Sequence, residues 1–126
     1  MAPGPCGRMT AARLRELPRV RVCGRSVPVA TGFRARLLGL AGLTSEQADS
    51  GLLIPRCASV HTFGMRFELD LVFLDRRQRP LVTRRRVPPG RLVWHRAAVA
   101  VLEIPSRQGG EFFPGQDLSA HVATEN

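Results

Sequence analysis

Between Ser59 and Asp75 the chain reads SVHTFGMRFELDLVFLD, and the two-residue alternation of this stretch constrains the fold more than any other feature. In extended backbone, successive side chains point to opposite faces. One face then carries Phe63, Met65, Phe67, Leu69, Leu71 and Phe73, with His61 and Asp75 at its ends. The other carries Thr62, Gly64, Arg66, Glu68 and Asp70, then Val72 and Leu74. The first face belongs to a core; the second begins polar. Nothing in the alternation specifies a substrate.

The neighbouring segments read the same way. RVRVC and VPVA, separated by Gly24-Arg25-Ser26, predict a short hairpin. Thr31 is a candidate cap for a helix over Phe33 to Leu43, with Phe33, Leu37 and Leu40 on one face, Arg34 and Arg36 turned outward and Gly42 as its stop. SEQAD from Ser45 predicts a second helical turn that Gly51 ends before the strand LLIP. Beyond Asp75, Arg76 to Arg79 reads as the turn of a hairpin returning through Leu81 to Val87, where Pro88-Pro89-Gly90 breaks it. Leu92 to His95, Val99 to Ile104 and Leu118 to Val122 are further strand candidates. Strands outnumber helices, so the expected fold is mainly β (α+β): a compact, small, barrel-like domain with one or two short helices.

At 126 residues the chain suits one domain with its own core. Residues 1–18, rich in Pro and Gly, are expected to form a flexible N-terminal arm, and 19–126 the single domain. The 44% hydrophobic content, in short runs, is unlike that of a disordered chain. Cys6, Cys23 and Cys57 make no CxxC or Cys/His cluster of zinc-ligand spacing, which fits free thiols and a reducing compartment. With no leader-like apolar segment and no run long enough to cross a bilayer, the expectation is a cytoplasmic protein.

Ordered blocks of the chain resemble one family. Ala30-Thr31, Arg36-Leu37-Leu38-Gly39-Leu40 and Gly51-Leu52-Leu53 come first. The stretch from Ser59 to Phe67, then Leu69 to Asp75, Val101-Leu102-Glu103-Ile104-Pro105 and Pro114-Gly115-Gln116-Asp117 follow. Over most of Val29 to Val122 this resembles the bacterial and archaeal domain of unknown function 192. The resemblance implies a small, mainly β domain with one or two helices and no established activity. Ser106 to Gly110 departs from the family's pattern, implying a shortened or missing helix there. His61 stands where many members have Trp, so a role at that position need not extend to all of them.

No nucleophile elbow, Walker loop, dinucleotide-binding glycine fingerprint or HExxH occurs, so no catalytic residue is assigned from motifs. Glu103 is the most unusual residue, because VAVLEIP sets a carboxylate within an apolar strand where burial without a partner is costly. It is either a proton carrier with a raised pKa or a structural group paired with an arginine. His61 is either an acid/base group or a hydrogen-bonded packing residue. Asp70 shares its polar face with Arg66 and Glu68, while Asp75 suits a cap on the following turn. His61, Asp70, Glu103 and Arg66 thus form a candidate pocket, with acid/base or metal-assisted hydrolysis as the chemistry if the first three converge. Cys57 and Ser59 are possible nucleophiles, a buried strand cysteine being the plainer reading, and His95 and His121 read as surface residues.

All the basic residues are arginine, giving a net charge of +9 that draws anions whatever its origin. Arg84, Arg85, Arg86, Arg91 and Arg96 are the candidate anion-binding residues, within a crowd that begins at Arg76. Only Trp94 is near them for stacking on a base. Three classes of function result: an accessory or anionic-ligand-binding module, a hydrolase using the carboxylates and His61, or a basic nucleic-acid-binding protein. An anionic ligand, an acidic protein or a nucleic acid are the corresponding partners, and no cofactor is specified.

Overall fold

The computed structural model describes residues 11–48 and 50–106. Strands β1 (Arg19–Val22) and β2 (Arg25–Pro28) form a hairpin, as the two β-branched runs predict, with the turn at Cys23-Gly24. A four-stranded antiparallel sheet has the order β3-β8-β5-β6, from Leu52–Pro55, Ala100–Pro105, Leu69–Leu74 and Pro80–Val87. β4 (Ser59–His61) and β7 (Leu92–Trp94) make a separate two-stranded ribbon. Three short helices complete the described part: α1 (Ala12–Arg15), α2 (Phe33–Leu38) and α3 (Ser45–Ala48). The fold is mainly β, and these strands do not close into a barrel.

Both faces of the sheet are covered, which explains why every residue of β5 and β8 is buried. Leu69, Leu71 and Phe73 of β5 pack with Val101, Leu52 and Ile54, beneath Leu14 of α1, Leu40, Ala48 of α3, and Val60 and Val93 of the ribbon. On the opposite face, Val72 and Leu74 pack with Leu102, Ile104 and Leu53 beneath Val22 and Val27 of the hairpin. A fully buried side chain of this kind contributes about 1.5–3 kcal/mol, so these two strands dominate the stability. Among the described residues no helix is long and apolar enough to cross a membrane.

Three local readings change. The central segment is not one strand: it breaks after His61, turns at Phe63-Gly64 where Gly64 has φ +80°, and resumes at Leu69. Phe63 therefore lies exposed while Met65 remains in the core. The helix from Phe33 stops at Leu38 rather than Leu43, because Gly39 adopts φ +54° and ψ −130°. Leu37 is consequently 55% exposed, whereas Leu40, beyond the helix, is buried. The expected N-terminal arm is docked from Ala11 onward: Leu14 is buried, and Arg13 donates to the carbonyls of Gly39 and Ala41 at 3.1 and 2.7 Å. The proposed strand Leu118 to Val122, the loop before it and His121 lie outside the described residues.

Asp70 acquires a structural role from an irregularity in the β5–β6 ladder. Pairing passes from Leu69↔Val87 to Leu71↔Arg84, so Asp70 faces an extra residue on β6. Such a bulge leaves a backbone group unpaired. Arg86, at φ +54°, donates its N–H to Asp70 Oδ1 at 2.9 Å, and Arg85 Nε lies 3.6 Å from Oδ2. Removing the carboxylate, Asp70→Ala, is expected to cost about 1–3 kcal/mol, with Asp70→Asn losing less because its amide oxygen still accepts. Urea unfolding of the two variants measures this; equal losses would remove the Arg86 N–H bond as the cause.

Candidate functional site

The residue that most shapes the site is Glu103, at the middle of β8. Its neighbours across the ladder are Leu52 and Leu71, so its side chain enters the apolar layer beneath α2 and the ribbon. It is 3% exposed. The Leu40 backbone N–H donates to the carboxyl, while Oε1 has no hydrogen-bond partner among the described residues. Burial pushes its pKa up to about 8, against the smaller opposing effect of the Leu40 N–H. At neutral pH the group is therefore mainly a carboxylic acid.

Gly39 permits the close approach of backbone to this acid. A Cβ there would stand 3.0 Å from Oε1 and 3.5 Å from Oε2. The same positive-φ residue that ends α2 thus leaves room around the carboxyl.

Glu103 lies in the wall of a cavity of about 220 Å³ formed between α2, β8 and the ribbon. Arg36 contributes from α2: its Nη2 donates to the Arg56 carbonyl at 2.8 Å, while its Nε is buried with no partner among the described residues. Cys57 also borders the space, its thiol donating to the Ser59 carbonyl at 2.8 Å. Burial pushes that thiol's pKa up, which suppresses the thiolate needed for nucleophilic attack.

His61 reaches the cavity from the end of β4. Thr62, next in sequence, exchanges backbone hydrogen bonds with Arg91 and Gly90, and its hydroxyl accepts from Arg91 N at 2.8 Å and donates to the Pro88 carbonyl at 2.7 Å. This fastening sets the ribbon's position and with it the imidazole. The Phe63 N–H points to His61 Nδ1 at 3.3 Å, and the two rings stack with centroids 5.3 Å apart. An accepting Nδ1 leaves Nε2 to carry the proton of the neutral ring. Leu37 and Leu92, 55% and 59% exposed, border the cavity. Phe63 and Trp94 extend the exposed apolar surface along the ribbon.

The candidate residues thus separate into distinct places. His61 and Glu103 share the cavity. Asp70 sits on β5 opposite Ile104, facing the other side of the sheet from Glu103, because the side chains of adjacent strand positions alternate. The three do not converge. Arg66 is exposed in the bend between β4 and β5. Arg84, Arg85, Arg86 and Arg91 border another depression, of about 210 Å³, next to the bulge. Arg86 also pairs with Glu68 at 2.9 Å, and Arg96 lies in the turn after β7. Among the described residues no group of three His, Cys, Asp or Glu is placed to hold a metal ion.

Arg36 and Gly39 were hidden in the sequence by the overlong helix, which turns Arg36 to solvent and makes Gly39 an ordinary helical residue. Cys57 was visible as a candidate nucleophile, but its relation to Glu103 was not. Chemically, the cavity offers a neutral carboxyl, a guanidinium N–H and an imidazole N–H in mostly apolar surroundings.

A family model described as DUF192, uncharacterized ACR, matches residues 20–112. A solved structure from Sinorhizobium meliloti 1021, described as a "putative transcription regulator", is similar with a TM-score of 0.59 and 17% identity, over 74% of this chain and 81% of that one. A protein of unknown function from Novosphingobium aromaticivorans DSM 12444 gives a TM-score of 0.56 and 18% identity, over 75% and 74% of the two chains. These likenesses show a shared fold. No curated protein matches this chain.

Proposed function

The chain belongs to the uncharacterised DUF192 family, and from the cavity above Glu103 we propose that it is a binding domain for a small molecule. The observation that carries this reading is the buried Glu103 carboxyl, with one oxygen, in the wall of a cavity, that has no partner among the described residues. Buried polar groups are ordinarily hydrogen-bonded, and one that is not invites a partner from outside the protein. The apolar walls and the few polar groups among them have the character of a ligand site. At about 220 Å³, the space is smaller than the roughly 300–1,000 Å³ typical of drug-sized ligands. A compact ligand follows.

A binding role accommodates the separation of Asp70 from the cavity, which an acid/base trio does not. The raised thiol of Cys57 likewise fits a wall residue better than a nucleophile. A fragment screen followed by backbone amide NMR tests the proposal. Binding fragments are expected to move the amides of Gly39, Leu40, Cys57, His61 and Glu103 together. A screen that moves none of them, or moves only the arginine-bordered depression by the β6 bulge, would refute it.

A further inference from the structure

We infer that the ligand of this cavity is a small monocarboxylate with an apolar body, its head held by Arg36 and Glu103 and its body by the surrounding aliphatic side chains. The inference rests on the reading of the cavity as a binding site. Two buried polar atoms without partners among the described residues, Arg36 Nε and Glu103 Oε1, belong to residues that border this one space. A guanidinium only donates hydrogen bonds. A protonated carboxyl can donate as well as accept, and Glu103 is held in that form near neutral pH by its burial. The head that complements both groups is rich in acceptors.

Charge narrows the choice. Arg36 brings a positive charge to the wall, and Glu103 in its acid form does not cancel it. An amine would meet that guanidinium as a like charge. An amide would offer one oxygen and bring an N–H into the same space. A carboxylate presents two acceptor oxygens in a plane, the shape to which guanidinium N–H groups are suited. His61 Nε2–H is a further donor. A phosphate would bring more charge and more oxygens than these donors serve.

The rest of the wall sets the body of the ligand. Leu38, Leu40, Ile54, Val60, Met65 and Leu92 present hydrocarbon. Expelling water from such surfaces favours an aliphatic chain, and the volume keeps that chain short. The exposed sides of Leu37 and Leu92 suit its far end.

Four probes of equal chain length, hexanoate, hexanamide, hexylamine and hexyl phosphate, test the assignment by titration at pH 7 with backbone amide NMR as the readout. Hexanoate is expected to bind most tightly, shifting Gly39, Leu40 and Glu103. In Arg36→Met its affinity should fall roughly tenfold or more while that of hexanamide stays nearly constant. Loss of the carboxylate-over-amide preference is a result that a purely structural role for Arg36 would not produce. Should Arg36→Met fail to fold, Arg36→Lys keeps the charge but not the planar N–H array and is expected to retain a weakened preference. Tighter binding of hexanamide, hexylamine or hexyl phosphate at the same amides would overturn the carboxylate assignment and leave the cavity as a binding site. Binding by none of the four would also overturn it, and the fragment screen would then decide separately whether the cavity binds anything.

Discussion

Raising the pH from 5 to 9 is expected to remove on the order of 4 kcal/mol from the stability of this domain, and Glu103→Gln to abolish most of that dependence. In the folded chain Glu103 has a pKa of about 8, against an ordinary value of 4.5. The folded state holds the proton more tightly than the unfolded state does. The resulting stabilisation is therefore complete below about pH 4.5 and is lost as pH rises through about 8. At about 1.36 kcal/mol for each pH unit between those values, the total is about 5 kcal/mol. Whole domains are stable by only about 5–15 kcal/mol, so the wild type should become markedly easier to unfold at alkaline pH.

Glutamine keeps the size and a hydrogen-bonding head but does not ionise. Urea unfolding at pH 5, 7 and 9 compares the two proteins. The half-buried thiols of Cys23 and Cys57 are also raised by partial burial and contribute a loss in the same direction at higher pH. They are common to both proteins, so the difference between wild type and variant isolates Glu103. Parallel pH profiles would mean that the carboxyl reaches solvent or a partner when folded.

The wording VAVLEIP already marked Glu103 as a buried carboxyl, because a lone acid in an apolar strand has few other places to go. Sequence could not supply its environment. An arginine partner was one expectation, yet arginine side chains pair instead with Asp70 on β5, with Glu68 just before it and with Asp75 just after it, and Glu103 receives the Leu40 N–H. The hairpins, the strand LLIP and the cap at Asp75 were legible because turn chemistry and two-residue alternation are local. Asp75 Oδ1 indeed accepts from Arg77 and Arg79 at 2.8 and 3.0 Å. What failed was the placement of breaks inside apolar runs. Gly39 and Gly64 both adopt positive φ within stretches whose hydrophobic pattern runs straight through them. Those two turns expose Leu37 and Phe63 and bring Arg36 to the cavity, so the site depended on the feature that periodicity reads least well.

Gly51→Ala is expected to destabilise the domain by at least about 3 kcal/mol, the sum of a strained backbone and a collision. Gly51 has φ +115°, a region that side chains rarely adopt, and an added Cβ would stand 2.3 Å from the Glu103 carbonyl oxygen and 3.4 Å from Ile104 Cα. That obstacle is backbone. β8 lies between β3 and β5 and is hydrogen-bonded to both, so it cannot yield without disturbing two ladders. Gly90→Ala provides the comparison: φ is +87°, but among the described residues nothing lies within 4 Å of its added Cβ. There only the conformational cost remains, about 1–2 kcal/mol. In thermal unfolding, Gly51→Ala should lower Tm by roughly 10–20 °C and Gly90→Ala by much less. Equal losses would show that β8 accommodates the methyl group. A shift of β8 would also carry Glu103 with it, so a folded Gly51→Ala protein should show a weaker pH dependence as water reaches the carboxyl. Retention of the full wild-type pH dependence would instead separate the position of β8 from the burial of its acid.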